Sequence, residues 1–292
     1  MSGIEILFES LMEMKIHQSV LIMKKLFSTI FIFFPLALFS QNNCNTINFA
    51  FKEGEKLLYN IDYTWGIIRM NAGEAASSIV VKKINGNSVY HFSTLGKSYP
   101  HYDWFFKVHD KYESYADTLS LKPFRFVREV HEDKYYAYDD YVFNHRNTRV
   151  YTTETRKDKG PNYDTLNITN CVKDVVTSVF YIRCLDFTNY KINDTIPLTF
   201  VLDGSVVPSY IRYLGKEIIT TPLLGKIRCI KLQPKLIEGT IFKAGDEMTI
   251  WLTDDKNRLP VYLESPIIIG EVRIKLIKYS GLRNKIDCFV PK

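Results

Sequence analysis

The chain has 292 residues, 46% hydrophobic and 14% aromatic, which is enough to bury the core of one large β domain or of two small ones. Its 38 basic and 32 acidic residues leave a formal charge of +6, and the basic residues are scattered among acidic ones with no run of like charge. That pattern argues against nucleic acid as a partner and leaves only weak association with an anionic membrane surface.

Residues 1–22 precede a complete export signal and read as an over-extended start, with Met23 the expected true one. Residues 23–40 are the signal peptide: Lys24 and Lys25, the apolar run "LFSTIFIFFPLALFS", then a polar exit, with cleavage near Ser40. The run contains Pro35 and falls short of the roughly 20 apolar residues that a spanning helix needs. Cys44 lies close behind it in the N-terminal segment 41–48, but Gln41, Asn42 and Asn43 are not the small and aliphatic residues that lipoprotein processing reads. The expectation is therefore a soluble exported protein of the periplasm or cell envelope. A single β-rich domain is expected over 49–280 and a C-terminal tail over 281–292.

In chain order, "EKLLYNIDYTW" and "EAASSIVVKKI" read as strands separated by the Gly66 and Gly73 region, and Asn85-Gly86 is a hairpin turn. "VYHFSTLG" returns from that turn. "HYDWFFKVHDKYESY" follows, with Trp104, Phe106, Val108, Asp110 and Tyr112 on one face at period two. "PFRFVREV", a turn at Glu132-Asp133, "YYAYDDYVF" and "TRVYTTE" complete a meander. "TRKDKGPNYDTLN" carries charge and Gly-Pro without apolar periodicity, so an exposed loop is expected there. In "TNCVKDVVTSVFYIRCL" the apolar residues Val172, Val175, Val176, Val179 and Phe180 recur at helical spacing, with Thr169 or Asn170 as the cap. Its β-branched content needs a sheet to pack against. Beyond Asn193-Asp194 the strands resume, with a hairpin at Asp203-Gly204 and runs such as "KIRCIKLQP", "EMTIWLT" and "EVRIKLIKY". The fold class is mainly β: a large curved antiparallel sheet, a half-barrel-like meander, with one packed amphipathic helix.

"FKEGEKLLYNIDYTWG", "NAGEA", "WFFKVHDKYESYAD", "DVVTSVFYIR", "RYLGKE", "IRCIKLQP", "GTIF" and "IWLTDDKNRLPVYLES" occur in that order. Over about Phe49 to Tyr279 the chain resembles the exported bacterial family catalogued as domain of unknown function 3108. The resemblance implies an exported, mostly β protein of a Gram-negative envelope, and it brings no catalytic residues with it.

Chemistry must then be read from the residues. Cys44, Cys171, Cys184, Cys229 and Cys288 are odd in number and hold no C-x-x-C spacing, so at least one thiol is unpaired within the chain. A Cys44–Cys288 bridge is one pairing that the spacing leaves open. His101, His109 and His131 lack metal-ligand spacing, and Asp254-Asp255 reads as a turn, so no metal and no cofactor are expected. Two carboxylates, Asp110 and Glu129, are candidates for a glycosidase pair. The simpler reading makes Asp110, Glu129, Arg125 and Arg128 structural charge pairs, with Asp110 held by Arg125 or Arg128 of the next strand. Trp104, Phe106, Tyr112, Tyr136 and Tyr138 are the candidates for a ring-lined ligand surface. The leading expectation is a non-enzymatic binding or carrier scaffold for an apolar or amphipathic ligand such as a lipid. The alternatives are a carbohydrate-binding or glycoside-processing protein using Asp110 and Glu129, and an interaction scaffold in envelope assembly.

Overall fold

The computed structural model describes residues 46–104, 107–235, 248–267 and 270–291. Alternating apolar and polar side chains form β1 (Lys56–Trp65), β2 (Ile68–Ile84), β3 (Asn87–Ser98), β4 (Val108–Asp117), β5 (Pro123–Glu132), β6 (Tyr135–Asn144) and β7 (Arg149–Arg156), and an exposed strand, β8 (Asn162–Asn167), comes next. The helix α1 (Val175–Arg183) follows, then β9 (Thr195–Leu202), β10 (Ser205–Thr221), β11 (Gly225–Pro234), β12 (Thr249–Thr253), β13 (Pro260–Pro266) and β14 (Glu271–Ser280). These strands form one antiparallel sheet in the order β8-β7-β6-β5-β4-β3-β2-β1-β14-β13-β12-β11-β10-β9. Two meanders thus meet where β1 pairs with β14, and β8 and β9 are the edges.

The hairpin signals act as their chemistry requires. Asn85 and Gly86 have φ of 50° and 80°, closing Ile84 onto Asn87, and Asp203 and Gly204 have φ of 45° and 63°, closing Leu202 onto Ser205. Gly73 serves close approach: a Cβ there would stand 2.2 Å from the Lys97 carbonyl oxygen, beside a register shift in β1.

Three expectations need correction. "TRKDKGPNYDTLN" is not all loop, because Asn162–Asn167 pairs with β7 as an edge strand. Nearly every side chain of that strand is exposed, so no apolar alternation marks it. The helix begins later than expected, at Val175, and its cap is Asp174 rather than Thr169 or Asn170. Asp174 and Thr177 form a reciprocal capping box, while the residue before them, Lys173, is held in a parallel bridge to β9. Cys288 does not bridge to Cys44: it is a buried free thiol, as are Cys184 and Cys229, whereas Cys171 is disulfide-bonded.

The helix packs on the inner face of β3, β4 and β9. Phe180 stacks on Phe92 with centroids 3.8 Å apart, and Phe51 meets both edge-on. Full burial of one such ring is worth about 1.5–3 kcal/mol. This outweighs the poor intrinsic helix propensity of a valine-rich segment. Arg183, 1% exposed, ends the helix by reaching Glu55 through two hydrogen bonds of 2.6 and 2.9 Å and by donating to the Asn257 carbonyl. The helix is thereby fastened to the chain before β1 and to the turn between β12 and β13. A second cluster, around Leu57, Ile227, Trp251 and Leu276, takes in Cys229 and Cys288, so residues near the C-terminus pack on β11.

Candidate functional site

Period-two alternation decides what each strand offers to either face. On the inner face of β4, Asp110, Tyr112, Ser114 and Ala116 succeed one another. Phe126, Arg128, Val130 and Glu132 of β5 and Ala137, Asp139 and Tyr141 of β6 share that face. Asp139 is fully buried and accepts from Arg128 Nε at 2.6 Å and Arg156 Nη1 at 2.5 Å. The tip of the β9–β10 hairpin completes this cluster: Asp203 accepts from Arg128 at 2.5 Å, and the Gly204 N–H donates to the Tyr141 hydroxyl at 3.1 Å. Glycine suits that tip because Gly204 has φ of 63°, a left-handed conformation that side chains rarely adopt. Tyr141 in turn donates to Glu154.

Asp110 is the contrast within the same face. The His131 N–H donates to it at 3.1 Å, and Glu132, two residues on from the facing Val130, brings a second carboxyl to it. Burial first, and the Glu132 carboxylate second, push the Asp110 carboxyl up to about 7. Two carboxyl groups in contact share a proton more readily than they carry two charges. Lys173 is a buried cation without an ion pair among the described residues. It is 2% exposed, its Nζ has no hydrogen-bond partner among the described residues, and it lies 5.1 Å from the Tyr181 ring. Burial brings its ammonium down to about 8.

Among the described residues, two concavities are notable on the outer face. One, of about 430 Å³, is lined by Ile84, Val89, Tyr115, Phe124, Val142 and Phe143, with Arg125 on its wall. Arg125 is tied to Asp140 by hydrogen bonds of 2.8 and 2.6 Å, which keeps its guanidinium from closing over the rings. The other, of about 470 Å³, lies where β14, β1, β2 and β3 run side by side. A third depression, of about 570 Å³, is polar and lies between the β5–β6 turn and the loop after β7, including His131 and Tyr136.

The expected site residues are not brought together. Trp104 is 82% exposed ahead of β4, Tyr112 is half-buried against the inner core, and Tyr136 and Tyr138 stand on the outer face of β6. Phe106 lies outside the described residues. Asp110 is not held by Arg125 or Arg128 and makes no ion pair with a basic side chain among the described residues. Arg128 is directly opposite Asp139 and binds it, and Arg125, on the outer face, binds Asp140. Glu129 contacts His131 at 3.2 Å rather than either arginine. The proposed glycosidase pair is overturned by register: Asp110 faces Val130 and Glu129 faces Lys111, so the two carboxylates lie on opposite faces of the sheet. His109 and His131 stand opposite each other across β4 and β5, but no group of three or more His, Cys, Asp or Glu side chains among the described residues is arranged to hold a metal ion. Among those residues no helix is long and apolar enough to cross a membrane.

Sequence reasoning did not place the groove residues Tyr115, Phe124 and Val142 among the ligand-surface candidates. The signal was present: at period two Tyr115 shares a face with Lys111 and Glu113, which marks that face as outward, and Arg125 and Val142 follow from the strand pairing.

The family described as Protein of unknown function (DUF3108) matches residues 58–277. No curated protein is similar enough to count as a match. Among solved structures, the chain is similar to a β-barrel-like protein of domain of unknown function DUF1849 from Brucella abortus, with a TM-score of 0.51 and 12% sequence identity. The similarity covers 78% of this chain and 97% of that one. At that identity the likeness concerns the fold alone.

Proposed function

The chain belongs to the DUF3108 family, and from that premise we propose an exported, non-enzymatic binding or carrier scaffold for an apolar or amphipathic ligand, held on the outer face of the sheet. The observation that carries this reading is the groove of about 430 Å³ walled by Tyr115, Phe124 and Val142. Its size falls in the range of small-molecule sites, roughly 300–1,000 Å³. Phe124 and Val142 are 36% and 46% exposed, so covering them with a ligand removes apolar surface from water that the folded chain alone leaves wet. The Arg125–Asp140 pair at the rim suits a ligand with a polar end. The basic and apolar export signal at 23–40 and the disulfide on Cys171 support an oxidising compartment, the periplasm or cell envelope.

Native mass spectrometry of the protein purified from its own envelope tests the reading. A co-purifying lipid or other amphiphile is expected, and Val142→Asp should release it. A clean apo mass together with an organic extract free of lipid would sink the proposal.

A further inference from the structure

We propose that the second outer groove, of about 470 Å³ across β14, β1, β2 and β3, binds a single-chain amphiphile bearing a phosphate or carboxylate head. This site is separate from the ring-lined groove and stands on its own observations.

Strand register arranges most of its lining in two cross-strand rows, with Leu57, Ser77 and Tyr279 in the row between them. Lys278 faces Leu58, Leu58 faces Ala76, and Ala76 faces Leu95; beside this row run Ser280, Lys56, Ser78 and Ser93, each opposite the next. Leu57, between Lys56 and Leu58, is buried in the core, which fixes both rows on the outer face. With strands about 4.8 Å apart, four residues make a strip roughly 14 Å long. The first row is a lysine followed by three aliphatic side chains, and the second offers three hydroxyls around another lysine. Ala76 and the serines are small, and the register shift beside Leu58 adds local twist, so the strip is concave.

The charges identify the head group. Lys56 and Lys278 are diagonal neighbours on adjacent strands, roughly 7–8 Å apart at Cα, close enough for one oxyanion to contact both ammonium groups. No acidic side chain lines the groove. Nearby lysines are neutralised, Lys97 by Glu74 at 2.9 Å and Lys275 by Asp62 at 2.7 Å. Lys56 and Lys278 have no such partner among the described residues. An anion between them relieves their mutual repulsion, and lysine ammonium groups suit phosphate as compact point charges. From there an alkyl chain would run over Leu58, Ala76 and Leu95 toward β3. A groove of this volume holds one amphiphile monomer and not a patch of bilayer.

The test uses the full exported chain after delipidation, titrated in a calorimeter with octyl phosphate, octyl glucoside and inorganic phosphate. Octyl phosphate should bind at least about tenfold more tightly than either control, a difference of about 1.4 kcal/mol. The double variant Lys56→Gln/Lys278→Gln should erase that preference. Because both lysines are exposed, the variant should melt like the parent, and Ala76→Phe, which fills the groove without touching charge, gives a second route to loss of binding. Equal binding of octyl glucoside, inorganic phosphate as tight as octyl phosphate, or an unchanged affinity in the double variant each overturns the proposal. So does binding to phosphatidylcholine vesicles doped with phosphatidic acid when octyl phosphate itself does not bind.

Discussion

Asp139 and Asp110 lie on the same inner face, on the two strands that flank β5, and both are buried, yet the fold treats them in opposite ways. Asp139 is clasped between the guanidinium groups of Arg128 and Arg156. Asp110 is set beside Glu132, and its proton is retained up to about pH 7. The difference comes from register and from a distant hairpin. Arg128 lies directly opposite Asp139, and the Asp203 tip supplies a second acceptor to the same guanidinium, which leaves nothing for Asp110 on the diagonal. Buried carboxylates are therefore not interchangeable anchors: one fastens the β9–β10 hairpin to β6, and the other makes a pH-sensitive weak point in β4. The same division separates two buried cations, Arg183 paired with Glu55 and Lys173 without an ion pair among the described residues.

The largest expected effect breaks the paired side of this comparison. Asp139→Ala strands Arg128 and Arg156 in a mostly buried cluster, and the expected cost is about 3–5 kcal/mol. Urea unfolding followed by tyrosine fluorescence should show the midpoint falling in proportion. A loss under about 1 kcal/mol would mean that Asp203 and Glu154 alone satisfy both arginines. Lys173→Met acts on the unpaired side with the opposite sign. The folded-state ammonium titrates near 8 against 10.5 for an ordinary lysine. Below pH 8 both states are charged and the folded state bears the whole desolvation cost. Between the two values only the unfolded state keeps its proton, so stability climbs with pH, and above them the penalty is gone. The variant should accordingly gain about 2–3 kcal/mol at pH 7 and nothing near pH 11. A variant less stable than the parent at pH 7 would show that Lys173 is paired in solution.

The meander, the Asn85-Gly86 and Asp203-Gly204 hairpins and the face that Asp110 shares with Tyr112 were legible because each rests on a local rule: period two, or the positive φ that Asn, Asp and Gly accept. β8 was illegible for a related reason. An edge strand exposed on both faces has no apolar alternation, and its pairing with β7 comes from the backbone. The partners of Asp110, Arg125 and Arg128 were also hidden. Which of two neighbouring strands a cation turns to depends on register, and the approach of Asp203 to Arg128 across 75 residues has no local signature. The aromatic residues divide between the two faces, with Tyr112 and Tyr141 inward and Tyr115, Tyr136 and Tyr138 outward. The groove residues among them emerged only once β4, β5 and β6 were aligned.

The smallest expected effect sharpens the Asp110 side, and it runs against the intuition that removing a buried carboxylate destabilises. Asp110 titrates near 7 when folded and near 3.8 otherwise. Below 3.8 both states are protonated and the group is neutral to stability. Between the two values the unfolded chain ionises while the folded chain holds its proton, so stability falls as pH rises. Above 7 the folded state carries two carboxylates in contact and the loss is complete. Asp110→Asn keeps an acceptor for the His131 N–H, supplies a donor toward Glu132 and has no proton to lose. It should match the parent at pH 4 and exceed it by about 1–2 kcal/mol at pH 8, the partial access of solvent reducing the full effect of the shift. Thermal melts of both proteins from pH 4 to pH 8 decide it. An Asn variant that melts at or below the parent at pH 8, or one that retains the parent's slope, would mean that the Asp110–Glu132 contact is already relieved by a cation or by local opening of β4.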